Sequence, residues 1–132
     1  MKYMLDTNIC IYTIKKKPES VFKKLESISQ QEIVISSITL SELFHGVNKS
    51  QRLDKNQIAL LEFISPFQVV SYDKKAAEEY GKIRAFLEKQ GTPIGSMDYL
   101  IAAHAISLNC VLVTNNVKEF KRIQGLKIES WI

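Results

Sequence analysis

Four carboxylates in this sequence stand next to apolar segments, where an ionised side chain needs a reason to be. Asp6 ends the run Tyr3-Met4-Leu5 and opens Asp6-Thr7-Asn8. Glu42 lies within Ser36-Ser37-Ile38-Thr39-Leu40-Ser41-Glu42-Leu43. Asp98 closes Pro93-Ile94-Gly95-Ser96-Met97-Asp98, just ahead of an apolar stretch. Glu119 follows the run Val111-Leu112-Val113, within Thr114-Asn115-Asn116-Val117-Lys118-Glu119-Phe120. Carboxylates held within a few ångströms of one another raise each other's pKa and are stable together only with a cation. Oxygen donors suit Mg²⁺ or Mn²⁺, and no His or Cys cluster competes for a softer metal. One or two such ions can activate a water and stabilise the leaving oxygen in phosphodiester cleavage. Thr7, Asn8, Thr114 and Asn115 would surround such a site with hydrogen bonds and hold substrate.

Each acid also has a plainer reading. Asp6 or Thr7 can cap a following helix, and Asp98 can serve the dipole of the helix it opens. On a helical projection Glu42 falls opposite the apolar stripe, which fits either a solvated face or a polar cleft. Glu119, taken alone, reads as surface. The two histidines have no assigned chemistry: His45 reads as a helix-surface residue and His104 as a hydrogen-bonded core residue. Trp131 and Tyr99 read as core, and Cys10 and Cys110 as buried free thiols.

The elements that must position these residues follow from periodicity. Five short apolar runs read as strands: Lys2–Leu5, Glu32–Ser36, Gln68–Ser71, Cys110–Val113 and Lys127–Trp131. Between them lie helical stripes. Val21, Phe22, Leu25 and Ile28 form one, with Pro18 at its first position. Leu40, Leu43, Phe44 and Val47 form a second, and Leu53, Leu60, Leu61 and Ile64 a third. Ala76, Tyr80, Ile83 and Leu87 form a fourth, ending before Gly91, and Tyr99–Leu108 is apolar nearly all round. Alternating strands and helices predict an α/β fold with a mainly parallel sheet covered on both faces. In such sheets the working site lies beyond the carboxyl ends of the strands, near a switch in strand order.

At 132 residues the expectation is one domain, residues 1–132, without repeats or linkers. A composition 45% hydrophobic and 24% charged is that of an ordinary globular protein. No apolar run approaches the roughly 20 residues of a membrane span. The start Met1-Lys2-Tyr3-Met4-Leu5-Asp6 is too short in apolar residues for a signal peptide, which sets a cytoplasmic expectation. The 18 basic residues exceed the 14 acidic ones, for a net charge of +4. With the four acids gathered at one site, 10 remain against 18, so the rest of the surface carries about +8. Lys15-Lys16-Lys17, Lys23-Lys24, and Lys118, Lys121 and Arg122 are the main clusters. A negative metal pocket in a basic surface suits a nucleic-acid phosphodiester.

The blocks Met4-Leu5-Asp6-Thr7-Asn8, Ser37-Ile38-Thr39-Leu40-Ser41-Glu42-Leu43, Gly95-Ser96-Met97-Asp98 and Thr114-Asn115-Asn116-Val117-Lys118-Glu119-Phe120, in this order, resemble the motifs of the PIN-domain family, in particular the VapC toxins. The resemblance spans essentially the whole chain. It implies a three-layer α/β/α fold and four acids, here Asp6, Glu42, Asp98 and Glu119, meeting at one Mg²⁺ or Mn²⁺ site. The family's fourth acid is often Asp, and Glu119 reaches with a longer arm, directly or through water. The resemblance further implies cleavage of structured RNA, tRNA in particular, by the toxin of a type II toxin–antitoxin pair. Its implied partners are a VapB antitoxin whose tail covers the acidic site and a second copy in a homodimer. Operator DNA would be contacted only through the antitoxin.

Other readings of the same residues are weaker. An aspartyl-phosphate phosphatase needs a second Asp two positions after the first, where this chain has Asn8. A receiver domain places its phosphoacceptor after a more central strand. A catalytically dead binding module would have lost at least one acid. A DNA nuclease of the same fold shares the metal chemistry, and the compactness of this chain and its lack of extra DNA-clamping segments make it the lesser option.

Overall fold

A computed structural model describes residues 1–132. Its strands are only three or four residues long, which suffices because they are parallel and mostly buried on both faces. In chain order the elements are β1 (Tyr3–Leu5), α1 (Thr7–Lys15), α2 (Glu19–Glu26), β2 (Ile33–Ser36), α3 (Ser37–Asn48), α4 (Leu53–Ile64), β3 (Gln68–Val70), α5 (Lys74–Gln90), α6 (Ser96–Ser107), β4 (Val111–Val113), α7 (Val117–Phe120) and β5 (Lys127–Glu129). A 3₁₀ turn at Gln30–Glu32 leads into β2.

The sheet runs β3-β2-β1-β4-β5, parallel at every pairing. Register alternates the side chains between two cores. Met4 pairs with Val34 and Leu112, and these three enter the core formed with α5, α6 and α7. Leu5 pairs with Val113, and both enter the opposite core with Ile33 and Ile35, against α1, α3 and α4. The result is the expected three-layer α/β/α arrangement. The chain builds β1, β2 and β3 outward on one side, then crosses to β4 and β5 on the other. The switch in strand order therefore falls at β1 and β4, whose carboxyl ends deliver Asp6 and Thr114.

The five strands and the main helical stripes fall where periodicity places them, with a few differences. Pro18 sits at the N-cap of α2 rather than its first turn, and the helix ends at Glu26, before Ile28. In α4 only Leu60 is buried, while Leu53 and Leu61 are exposed, because this helix covers the sheet at a margin. α6 is the most buried helix: Tyr99 and the run Ile101–Ala105 have no more than 2% exposure, which explains a uniformly apolar sequence. α5 ends at Gly91, whose φ of +74° is the left-handed C-cap that glycine adopts without strain. No helix is long and apolar enough to cross a membrane.

Candidate active site

The four sequence-selected acids arrive from four different elements. Asp6 is the residue between β1 and α1, and it does two things at once. Its Oδ1 accepts from the Ile9 amide at 2.9 Å, capping α1, and the carboxylate remains beside the other acids. It is 8% exposed. Burial raises its pKa above the ordinary carboxylate value and the Glu42 charge adds to the rise. The Thr114 hydroxyl and the amides of Ile9 and Asn8 oppose it.

Glu42 occupies the second turn of α3. The buried face of that helix is Thr39, Leu43 and Val47, rotated from the stripe that includes Leu40 and Phe44. Glu42 stands one helical step (i, i+3) from Thr39, so it is half-buried and turned to the cleft. It accepts a short hydrogen bond from the Thr7 hydroxyl across the start of α1. Of the two readings of Glu42, the structure selects the cleft.

Asp98 lies in the first turn of α6, half-buried. Burial pushes its carboxyl up to about 6, with the charges of Glu119, Asp6 and Glu42 adding in that order. This places all four acids within one electrostatic neighbourhood. Gly95, the N-cap of α6, makes room: a Cβ there would stand 3.3 Å from Asp98 Oδ2. Glu119 lies in the short helix α7. The Arg122 guanidinium, one turn on, donates to the Pro93 carbonyl at 3.0 Å, fastening the α7 segment to the loop before Asp98.

The surrounding polar residues divide unequally. Thr114, fully buried at the end of β4, hydrogen-bonds Asp6 and accepts from the Asn116 amide at 2.9 Å. Asn8 is exposed, and its side chain is free to meet solvent or substrate. Asn115 turns outward and donates to the Tyr12 hydroxyl at 3.0 Å. Its neighbour Asn116, which sequence reasoning passed over, is the asparagine among the acids. Its side-chain NH₂ stands 3.5 Å from Asp98 Oδ2 and 3.4 Å from Glu119 Oε2. Its spacing three residues before Glu119, at the cap of a short helix, was the available signal.

The site's charge is not neutralised by the protein. The three ion pairs, Glu19–Lys23, Glu79–Lys82 and Arg84–Glu88, all lie on outer helix faces. No three His, Cys, Asp or Glu side chains stand close enough together to hold a metal ion as they are arranged. Carboxylate oxygens, with Asp6 and Asp98 raised above the ordinary value, are the donors that suit a hard divalent ion keeping part of its water shell. Lys118 and Lys121, on either side of Glu119 in the chain, are exposed. Lys15–Lys17, by contrast, sit at the far end of α1, roughly 14 Å along its axis from Asp6. A groove of about 330 Å³, lined by Ile11, Ile14, Leu43, Val47 and Leu60, also has Lys15 and Glu42 in its wall.

Comparison with known proteins gives this geometry a context. The chain matches the PIN domain family over residues 3–126. It is 48% identical over 132 residues to ribonuclease VapC2 of Rickettsia felis, across 99% of this chain and 98% of that protein. It is 47% identical over 131 residues to the tRNA(fMet)-specific endonuclease VapC of Shigella flexneri, again across 99% and 98%. The crystal structure of VapBC2 from Rickettsia felis, bound to a DNA fragment from its promoter, has a chain that superposes with a TM-score of 0.94. That match is 47% identical and covers 100% of both chains.

Proposed function

This chain belongs to the PIN-domain family, among its VapC ribonucleases, and from that premise we propose that it is the toxin of a toxin–antitoxin pair, a Mg²⁺- or Mn²⁺-dependent endoribonuclease that cleaves tRNA in the cytoplasm. PIN-domain nucleases in general depend on a divalent metal. What supports the reading is that Asp6, Glu42 and Glu119 lie near enough to Asp98 for their charges to raise its carboxyl, while the protein's three ion pairs involve none of the four.

Asp6, Glu42 and Asp98 would hold the ion, and Glu119 would complete or orient its shell. When bound, such an ion supplies a nucleophilic water at neutral pH and a positive charge for the leaving oxygen. The remaining residues do orienting work. Thr7 holds the Glu42 carboxylate, Thr114 holds Asp6, and the Asn116 amide spans Asp98 and Glu119. These bonds fix which oxygen lone pairs face the centre of the cleft. Asn8 and Asn115, exposed at its edge, are placed to meet the RNA, with Lys118 and Lys121 beside them to take phosphates.

The substrate class follows the relatives. A tRNA(fMet)-specific endonuclease at 47% identity makes the initiator tRNA the first substrate to test. The VapBC complexes among similar structures support a VapB-type antitoxin as partner. The groove that Glu42 also lines would seat an apolar antitoxin segment and bring its tail over the acids. The deciding experiment is incubation of antitoxin-free protein with total cellular RNA and Mg²⁺ or Mn²⁺, with cut ends mapped, beside Asp98→Asn. Discrete cuts in a tRNA by wild type alone support the proposal. Cleavage of DNA and not RNA, or identical products from Asp98→Asn, would overturn it.

A further inference from the structure

A buried polar contact outside the acidic cluster links the two helices that carry Glu42 and Asp98. Ser36 Oγ and His104 Nδ1 stand 2.7 Å apart, with the residues 0% and 1% exposed. Ser36 is also the N-cap of α3, accepting from the Ile38 amide at 3.1 Å. With one lone pair used by the amide, the hydroxyl can still donate to Nδ1 or accept from it, according to the tautomer of the ring. Burial holds the imidazole pKa below its ordinary value, with the Asp73 carboxylate and the Ser71 backbone opposing.

A third segment joins at the same point. The Tyr72 ring packs edge-on against the imidazole at 5.5 Å, and the Tyr72 amide donates to Ser37 Oγ at 3.0 Å. Tyr72 lies in the loop between β3 and α5, just before Asp73, the cap of α5. The first turn of α3, this loop and α6 are thus fastened together. Glu42 and Asp98 each lie six residues along their helices from the fastening, about 9 Å at the α-helical rise.

The arrangement makes poor sense as stabilisation alone. His104 Nε2 is buried with no hydrogen bond of good geometry, only the Ser71 backbone supporting the ring, and a nitrogen so poorly paired offsets much of what the Ser36 contact returns. An apolar side chain in place of the imidazole would fill the space and leave Ser36 to its capping bond with the Ile38 amide. What it would not supply is direction, because apolar contacts let helices slide whereas a hydrogen bond at a helix cap fixes register.

We propose that Ser36 and His104 form a positioning pair, which sets the separation of the Glu42 and Asp98 carboxylates and through it the affinity of the site for a divalent cation. The inference rests on the reading above that these carboxylates hold the ion. The test is Mn²⁺ binding to the full chain, followed by paramagnetic resonance of the free ion, for wild type, Asp98→Asn, His104→Asn and His104→Gln. The Asn amide can stand where Nδ1 stands and pair with Ser36 in either direction. The Gln amide reaches past it, at equal polarity.

His104→Asn should bind Mn²⁺ within about twofold of wild type and His104→Gln about tenfold more weakly. The Mg²⁺ concentration for half-maximal cleavage should rise by the same factor in His104→Gln, with KM for RNA unchanged. If the two variants bind alike, whether as wild type or equally weakened, the hydrogen bond is not what positions the acids and the inference falls. Should His104→Gln fail to fold, Ser36→Ala and Ser36→Thr make the same comparison from the other side, with weakening expected only for Ala. If wild type and Asp98→Asn bind Mn²⁺ alike, the carboxylate assignment itself has failed, which is a different result.

Discussion

Asp6 shows that a structural and a chemical reading of one residue can both hold. Its oxygen caps α1 while its charge faces Glu42, so the helix start and the site share one side chain. Asp98 is where that sharing costs most. Its carboxyl sits near 6 in the fold against an ordinary value of 3.8, so between those values the folded chain binds more protons than the unfolded one. Stability of the metal-free protein must then fall as pH rises through that window, with the full penalty present above it. Asp98→Asn should raise metal-free stability at pH 7 by roughly 1 kcal/mol, after allowance for solvent screening of a half-buried group. The gain should vanish below pH 4, and cleavage should be lost throughout. Thermal melts at the two pH values check this; an equal gain at both would place its origin elsewhere. Asn116→Ala tests the missed residue. Metal affinity should drop by roughly 10- to 100-fold, with little change in melting temperature, since the amide orients ligands and buries no apolar surface.

At the scale of elements, the helix starts decide the site. Three of the acids lie within two turns of the beginning of α1, α3 or α6, each of which starts where the chain leaves the sheet or a short loop. Gly95 illustrates how tightly this is built. Its φ of −62° and ψ of 149° suit any residue, so glycine is not required by backbone strain. It is the 3.3 Å approach of the missing Cβ to Asp98 Oδ2 that matters. Gly95→Ala should therefore leave the melting temperature nearly unchanged while weakening Mn²⁺ binding severalfold, because only the carboxylate has to move. Calorimetric titration beside a thermal melt separates the two effects, and a variant that binds Mn²⁺ as wild type does would show the contact to be slack. α6 tolerates this precision because its remaining turns are locked by Tyr99 and Ile101–Ala105 in the core.

For the molecule as a whole, the acids are an unbalanced charge held on a rigid three-layer frame, and a cation should therefore stabilise the frame itself. At a divalent ion concentration of about 100 times Kd the native state gains about 2.7 kcal/mol, a rise of roughly 10 °C in melting temperature for a chain of this size. Asp98→Asn should show little of that rise. Differential scanning calorimetry with and without Mg²⁺ measures both, and a wild-type melt indifferent to Mg²⁺ and Mn²⁺ would argue against a metal in this cleft. The frame also separates the basic clusters. Lys118 and Lys121 are exposed on either side of Glu119 in the chain, whereas Lys15–Lys17 stand at the far end of α1 from Asp6, with Lys15 in the wall of the groove that Glu42 also lines.

Much of this was readable from the chain alone. The short apolar runs bounded by polar residues read as strands, three of them buried and the edge strands β3 and β5 partly exposed, and the α6 segment, apolar nearly all round, read as an interior helix. The four acids were visible because each breaks such a segment, and a charge beside apolar residues is conspicuous. What periodicity could not decide is which way a polar residue turns when both of its neighbours are also polar. Asn115 and Asn116 are chemically identical and adjacent, and only the packing of α7 against the strand ends sends one outward to Tyr12 and the other to Asp98 and Glu119. Glu42 was ambiguous for the same reason, since a helical angle is measured against an axis whose neighbours are unknown until α1 and α6 are placed. The contact of Ser36 with His104 spans 68 positions, and no local rule relates residues so far apart. Local sequence determined which groups were available; the meeting of helices across the sheet decided which of them touch.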